Sequence, residues 1–72
     1  MDSRLRQARA IAYPGQTMRQ VAAHIGVDAS TISRAETSRD PRVSTLLRMA
    51  EAYGCDINWL ATGAGRKPRR AR

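Results

Sequence analysis

One glycine constrains this chain more than any other residue. In "VAAHIGVDASTISRAE", residues 21–36, two short helical patterns meet at Gly26. Val21, Ala22 and Ile25 form an apolar stripe before it, and Ile32 and Ala35 lie three apart on one face after it. Gly26 stands where a helix C-terminus needs a left-handed residue, and Val27 follows as the apolar seal of such a turn. Neither half is long enough to fold alone. Two short helices joined by a tight glycine turn cross steeply, so each must bury one face against further helices. The outer side of the second helix then stands clear of the body.

The rest of the chain supplies those further helices. Residues 3–13 read as a first helix, with Ser3 as its cap and Leu5, Ala8 and Ile11 or Ala12 on one face; Pro14-Gly15 ends it. "TMRQ", residues 17–20, matches a capping box that opens the second helix. Asp28 caps a third over roughly residues 29–37. "TSRDPR" is a polar loop. A fourth helix is predicted over Val43–Tyr53, with Val43, Leu46, Leu47 and Ala50 inward and Gly54 at its end. Asp56 caps a fifth, "INWLAT", which Gly63 stops. No segment alternates as a half-buried strand does, so the expected class is all-α with five compact helices. Residues 1–63 are expected to form one domain and residues 64–72 a flexible basic tail. From Gly63 onward disorder is expected, because "GAGRKPRRAR" has almost nothing to bury.

Composition narrows the chemistry. A chain of 72 residues without Phe and with one Trp must build its core from Leu, Ile, Val, Ala and Met. The lone cysteine, Cys55, permits no intrachain disulfide and no cysteine-based metal site. It reads as a half-buried reduced thiol in a cytoplasmic protein; the alternative is a disulfide linking two copies. No apolar run approaches the length of a membrane span, and "MDSRLRQARA" lacks the apolar core of a secretory signal. Ser30, Thr31 and Ser33 have no accompanying acid–base constellation, so no catalytic residue is assigned and no enzyme is expected. No cofactor, metal site or small-molecule ligand is suggested. His24 reads as a surface residue, and Tyr53 and Trp59 as core filling or a dimer contact.

Net charge is +7, unevenly placed: "RKPRRAR", residues 66–72, holds five positive charges and no acid, while residues 1–65 hold eight Arg against six acids. Basic charge favours polyanions, most often nucleic acid. Twelve Arg against one Lys also fits a GC-rich codon bias. The tail reads either as a solvated charge run or as added attraction for phosphate.

The turn motif is demanding. A small residue is needed where the two helices touch, glycine four positions later, and a branched apolar residue six beyond that. Ala22, Gly26 and Ile32 meet the rule, with Val21, Ile25, Val27 and Ala35 completing the apolar set. An exposed helix held this way fits the major groove of B-DNA. Residues 4–62 resemble the Cro/repressor-type helix-turn-helix family, also called lambda-repressor-like or XRE-type. The resemblance rests on "VAAHIGVDASTISRAE", "PRVSTLLRMAEAYG" and "DINWLATG". It implies a five-helix domain of a phage or bacterial regulator, cytoplasmic and nucleoid-associated when bound. It further implies a homodimer that binds double-stranded DNA at a palindromic operator, as a Cro-like repressor. A protein-interaction module on the same fold, such as an antitoxin that binds a toxin and regulates its own operon, is the alternative.

Position by position, the resemblance implies roles for named residues. Ala29, Ser30, Ser33 and Arg34 of the third helix would read bases, with Arg34 suited to guanine O6 and N7. Thr17, Met18 and Arg19 lie at the N-terminus of the second helix, where backbone N–H groups meet phosphate. Arg39 and Arg42 match positions that grip the other strand. Met18 stands where the family commonly has glutamine, so one contact is missing. Arg9 and Glu36 match a pair that orients the third helix. Cys55, Ile57, Trp59 and Leu60 are the expected dimer interface. Departures are a longer "YPGQ" loop, Gln16 where leucine is common, and Ser38 where glycine is common.

Overall fold

None of the helical segments carries enough apolar surface to stand by itself, and all of them contribute to one core. The computed structural model describes residues 4–70. The helices are α1 (Arg4–Ala12), α2 (Met18–Ile25), α3 (Ala29–Thr37), α4 (Val43–Tyr53) and α5 (Ile57–Thr62). The cap expected at Ser3 lies outside the described residues, as do Ala71 and Arg72 at the other end.

α1 is the strut of the domain: it packs against α3, α4 and α5, while α2 packs against α3 and α4. Alanines make these approaches close. Ala8 and Ala12 of α1, Ala22 of α2, Ala35 of α3 and Ala50 of α4 are all buried. Bulk comes from Leu5, Val21, Ile32, Met49, Tyr53, Trp59 and Leu60. With Phe absent, Tyr53 takes the place of a core aromatic and brings a hydroxyl inside with it. That hydroxyl has no hydrogen-bond partner among the described residues.

The facing of α4 differs from the sequence expectation. Val43 and Leu47, expected inward, are 64% and 53% exposed, whereas Met49 and Tyr53 are buried with Ala50. The apolar residues of this helix support two overlapping stripes, one through positions 43, 46, 47 and 50 and one through 46, 49, 50 and 53. The second carries the larger aromatic side chain and leads into the turn to α5, so it takes the core. On α1, Ala12 faces inward and Ile11 outward.

The larger correction concerns the tail. Disorder was expected from Gly63 onward, but residues 66–69 are fastened to the body. The Arg66 N–H donates to Asp56 Oδ2 (2.8 Å) and the Asp56 N–H donates to the Arg66 carbonyl (3.1 Å). The Arg69 N–H donates to the Tyr53 carbonyl (3.1 Å), and Pro68 is buried. The turn between α4 and α5 leaves backbone groups without helical partners, and the returning chain satisfies them. Asp56 begins α5 but makes no side-chain cap to it; its carboxylate serves the strap instead.

Candidate nucleic-acid interface

The recognition unit is built from local rules. At the start of α2 the capping box is complete: the Gln20 N–H donates to Thr17 Oγ1 (3.1 Å), and the Thr17 N–H donates to Gln20 Oε1 (2.8 Å). At its end Gly26 takes φ +87°, and the N–H groups of Gly26 and Val27 both donate to the Ala22 carbonyl (2.8 and 3.0 Å). A left-handed residue here reverses the chain in one step, which glycine does without a Cβ penalty. The Asp28 carbonyl then accepts from the Thr31 N–H (2.9 Å) to open α3, while its side chain makes no cap bond.

α3 is docked by one side. Ile32, Ala35 and Glu36 are buried; Ser30, Ser33 and Arg34 are exposed. Ala29 is half-buried against the core, so only part of its methyl group is available for contact. Arg34 makes no ion pair among the described residues. Opposite to this outer side, the Arg9 guanidinium clamps Glu36 through two bonds: Nε donates to Oε2 (2.6 Å) and Nη2 to Oε1 (3.1 Å). Arg6 Nε lies 4.0 Å from the same carboxylate. The pair joins α1 to the last turn of α3 and so fixes the pitch of that helix on the body.

A groove of about 410 Å³ runs beside α3. Its lining brings together Arg34 of α3, Arg42 at the start of α4, and Thr31, Ser38, Asp40 and Thr45. Arg42 is the N-cap of α4 and gives that end no side-chain bond, so the first backbone N–H groups have no cap from it. Arg39 is exposed in the loop. Thr17 and Arg19 are exposed at the start of α2, whereas Met18 is half-buried against the core. The sequence reading missed Thr31, Asp40 and Thr45 in this groove. Thr31 lies three positions before Arg34, one helical turn away, which is the signal that could have found it.

The expected dimer residues are placed differently. Cys55, Trp59 and Leu60 are buried in the core of their own chain, and Ile57 alone among the four is half-exposed. The short α5 has few apolar residues, and closing the single-chain core uses them. Burial, with the neighbouring Asp56 carboxylate adding to it, pushes the Cys55 thiol above its ordinary pKa. Burial also pushes the Tyr53 hydroxyl up, helped by the Glu36 carboxylate. His24 is exposed and stacks on Tyr13 with ring centroids 5.1 Å apart; Tyr13 meets Tyr53 edge-on.

A family model described as a helix-turn-helix domain matches residues 3–62. The chain belongs to the helix-turn-helix domain family. That family lies in the XRE/Cro-like clan of helix-turn-helix domains. No curated protein and no solved structure matches the chain. A helix-turn-helix domain implies DNA binding and is typically non-catalytic. No described helix is long and apolar enough to cross a membrane, and among the described residues no group of His, Cys, Asp and Glu could hold a metal ion.

Proposed function

We propose that this helix-turn-helix domain is a sequence-specific transcriptional regulator, a Cro-like repressor that binds a palindromic operator as a homodimer with α3 in the major groove. The observation that carries the reading is the one-sided docking of α3. Ile32, Ala35 and the clamped Glu36 hold it, and Ser30, Ser33 and Arg34 are left free on its outer side. Arg34 reads guanine through paired bonds to O6 and N7; Ser30 and Ser33 bond to base edges or nearby phosphates; Ala29 offers its exposed part to a thymine methyl. Arg39 and Arg42 hold phosphates of one strand at the mouth of the groove. Thr17, Arg19 and the free N–H groups at the start of α2 hold the other, with the Met18 methyl group packing beneath them. The half-buried Ile57 is the member of the expected dimer set still able to meet a second copy. One chain offers few base-reading groups, and two copies a helical turn apart double them.

Selection of operators from random duplex, with Arg34→Ala in parallel, tests this. The variant should lose preference at one base pair per half-site, by about 1–3 kcal/mol there. An equal loss on every sequence would make Arg34 a phosphate contact and remove the reading role of α3.

A further inference from the structure

Four of the chain's cations, Arg66, Lys67, Arg69 and Arg70, are exposed along the segment that returns over the α4–α5 turn. Arg4 joins them from the start of α1: its Nη1 donates to the Ala61 carbonyl (3.4 Å), and its guanidinium lies over Gly63. Among the described residues the acid beside them is Asp56, which has one carboxylate oxygen occupied by the Arg66 N–H. Glu51, one turn back along α4, borders a different hollow with His24 and Arg48.

This is a fixed display and not a loose run. Two hydrogen bonds join Arg66 to Asp56, a third joins Arg69 to Tyr53, and Pro68 is buried. Gly65 takes φ +101°, and a Cβ there would lie 2.7 Å from Asp56 Oδ2, so the entry to the strap is closed to any larger residue without movement. A tail that only added diffuse attraction would need none of these contacts.

Position decides what such a face can reach. The strap is bonded to Tyr53 at the C-terminal end of α4, while Arg42 caps its N-terminal end. The helix has 11 residues, which at the usual rise separates the two ends by about 16 Å. Charges that far apart in water exceed the screening length of about 8 Å at physiological salt. Phosphates held at Arg42 and α3 therefore feel little of the strap. The cations are strung along one segment and do not converge on a pocket, a layout that suits a line of phosphates and not a single small anion.

We propose that the strapped C-terminal face is a second phosphate-binding surface that takes a separate DNA duplex. A chain engaged through α3 thus bridges two DNA segments. The proposal rests on the reading of α3 as the DNA-binding helix.

The test immobilises one duplex on beads and measures capture of a second, labelled duplex by the full chain. The variant is Arg66→Gln/Lys67→Gln/Arg70→Gln; Arg69 is kept because its side chain packs over Gly54. Binding to a single duplex should stay within about twofold of wild type, with an unchanged salt slope, while capture of the second duplex falls at least about tenfold. Gly65→Ala, which keeps every charge but unseats the strap, should also lower capture. Equal capture by wild type and the triple variant would assign bridging to two α3 helices of a dimer and overturn the proposal. A triple variant with weakened single-duplex binding and a flatter salt slope would also overturn it, by placing these cations on the first duplex. Displacement of the second duplex by poly-glutamate but not by competitor DNA would assign the face to an acidic protein. If wild type holds one duplex and never a second, this proposal alone fails; if it holds none, the reading of α3 fails with it.

Discussion

Replacing Arg9 with methionine should cost this domain much of its stability, and the structure says why. Glu36 has a side chain only 2% exposed and Arg9 one 18% exposed, and the two share a paired contact. Removing the guanidinium leaves a carboxylate inside the protein with no full replacement. Breaking a buried pair from one side costs about 3–5 kcal/mol. Partial exposure of Arg9, and Arg6 standing 4.0 Å from the carboxylate, place the cost of Arg9→Met near the lower end, about 3 kcal/mol. A domain of 72 residues has roughly 4–11 kcal/mol in total. The melting temperature should therefore fall by roughly 12–24 °C, at about 4–8 °C per kcal/mol for this size. Glu36→Leu should cost less, about 1–2 kcal/mol, because the freed Arg9 can turn its head to water along an apolar stem. Arg9→Met/Glu36→Leu should return close to wild type, since an apolar pair of similar volume replaces two desolvated charges. Urea and thermal unfolding of the four proteins give the cycle directly. If Arg9→Met costs under about 1 kcal/mol, or the double variant is as unstable as the two singles summed, the buried-charge argument is wrong. The double variant also separates stability from placement. It should fold, yet discriminate operator from random duplex less well, because α3 has lost its tether to α1.

Two further outcomes are expected. Tyr53→Phe should stabilise the domain by about 1 kcal/mol, because it removes a buried hydroxyl that has no hydrogen-bond partner among the described residues. It should also flatten alkaline unfolding. The Tyr53 pKa is raised by burial above its ordinary 10.0, so stability is full below pH 10 and falls as pH rises, when the unfolded chain releases a proton that the fold keeps. Identical urea midpoints for both proteins across pH 9–11.5 would contradict this. Gly26→Ala should cost about 1–2 kcal/mol in urea unfolding, from backbone strain, because φ is +87° and, among the described residues, none beyond its two chain neighbours lies within 4 Å of the added methyl group. Gly26→Asn should cost less, and an alanine variant as stable as wild type would show that the turn does not need the left-handed conformation.

Helix ends were legible because their causes are local. The Thr17–Gln20 box and the glycines after α2, α4 and α5 act within a few residues, and the helix limits follow them. The outer face of α3 was legible for a related reason: Ile32 and Ala35 are apolar at helical spacing while Ser30, Ser33 and Arg34 are polar, although Ala29 continues the apolar stripe and is half-buried where it was expected to face outward. α4 was not legible in its facing, because its apolar residues satisfy two stripes and only the position of α5 selects one. The strap was invisible. Two main-chain bonds, one bond from a main-chain N–H to the Asp56 carboxylate and one buried proline hold it, and main-chain bonding leaves no mark on residue type. Asp56 misled in a specific way, since its place before α5 suggests a cap while its carboxylate goes to a residue ten positions later. Cys55, Trp59 and Leu60 looked available to a partner because the apolar demand of a core without Phe is hard to sum from sequence.

The distribution of acids separates two electrostatic roles in the chain. Beside α3 the cations are mixed with acids: Asp28 precedes the helix, and Asp40 lines the same groove as Arg34 and Arg42. A carboxylate there repels phosphate and any base edge presenting an acceptor to it, so on the proposed reading this surface would favour one docking register and penalise its neighbours. It is poorly suited to strong attraction at a distance. The strap is the reverse, with Arg66, Lys67, Arg69 and Arg70 set against Asp56, whose charge is partly met by the Arg66 N–H. On the proposed reading, salt-dependent capture of a second duplex should therefore come mainly from the end of α4 distant from the groove, while sequence preference on the first duplex should come from the groove itself. Moving a cation from one place to the other is then not neutral even at constant net charge. Asp40→Asn raises affinity for every duplex and narrows the gap between operator and random DNA, whereas Lys67→Gln leaves that gap unchanged.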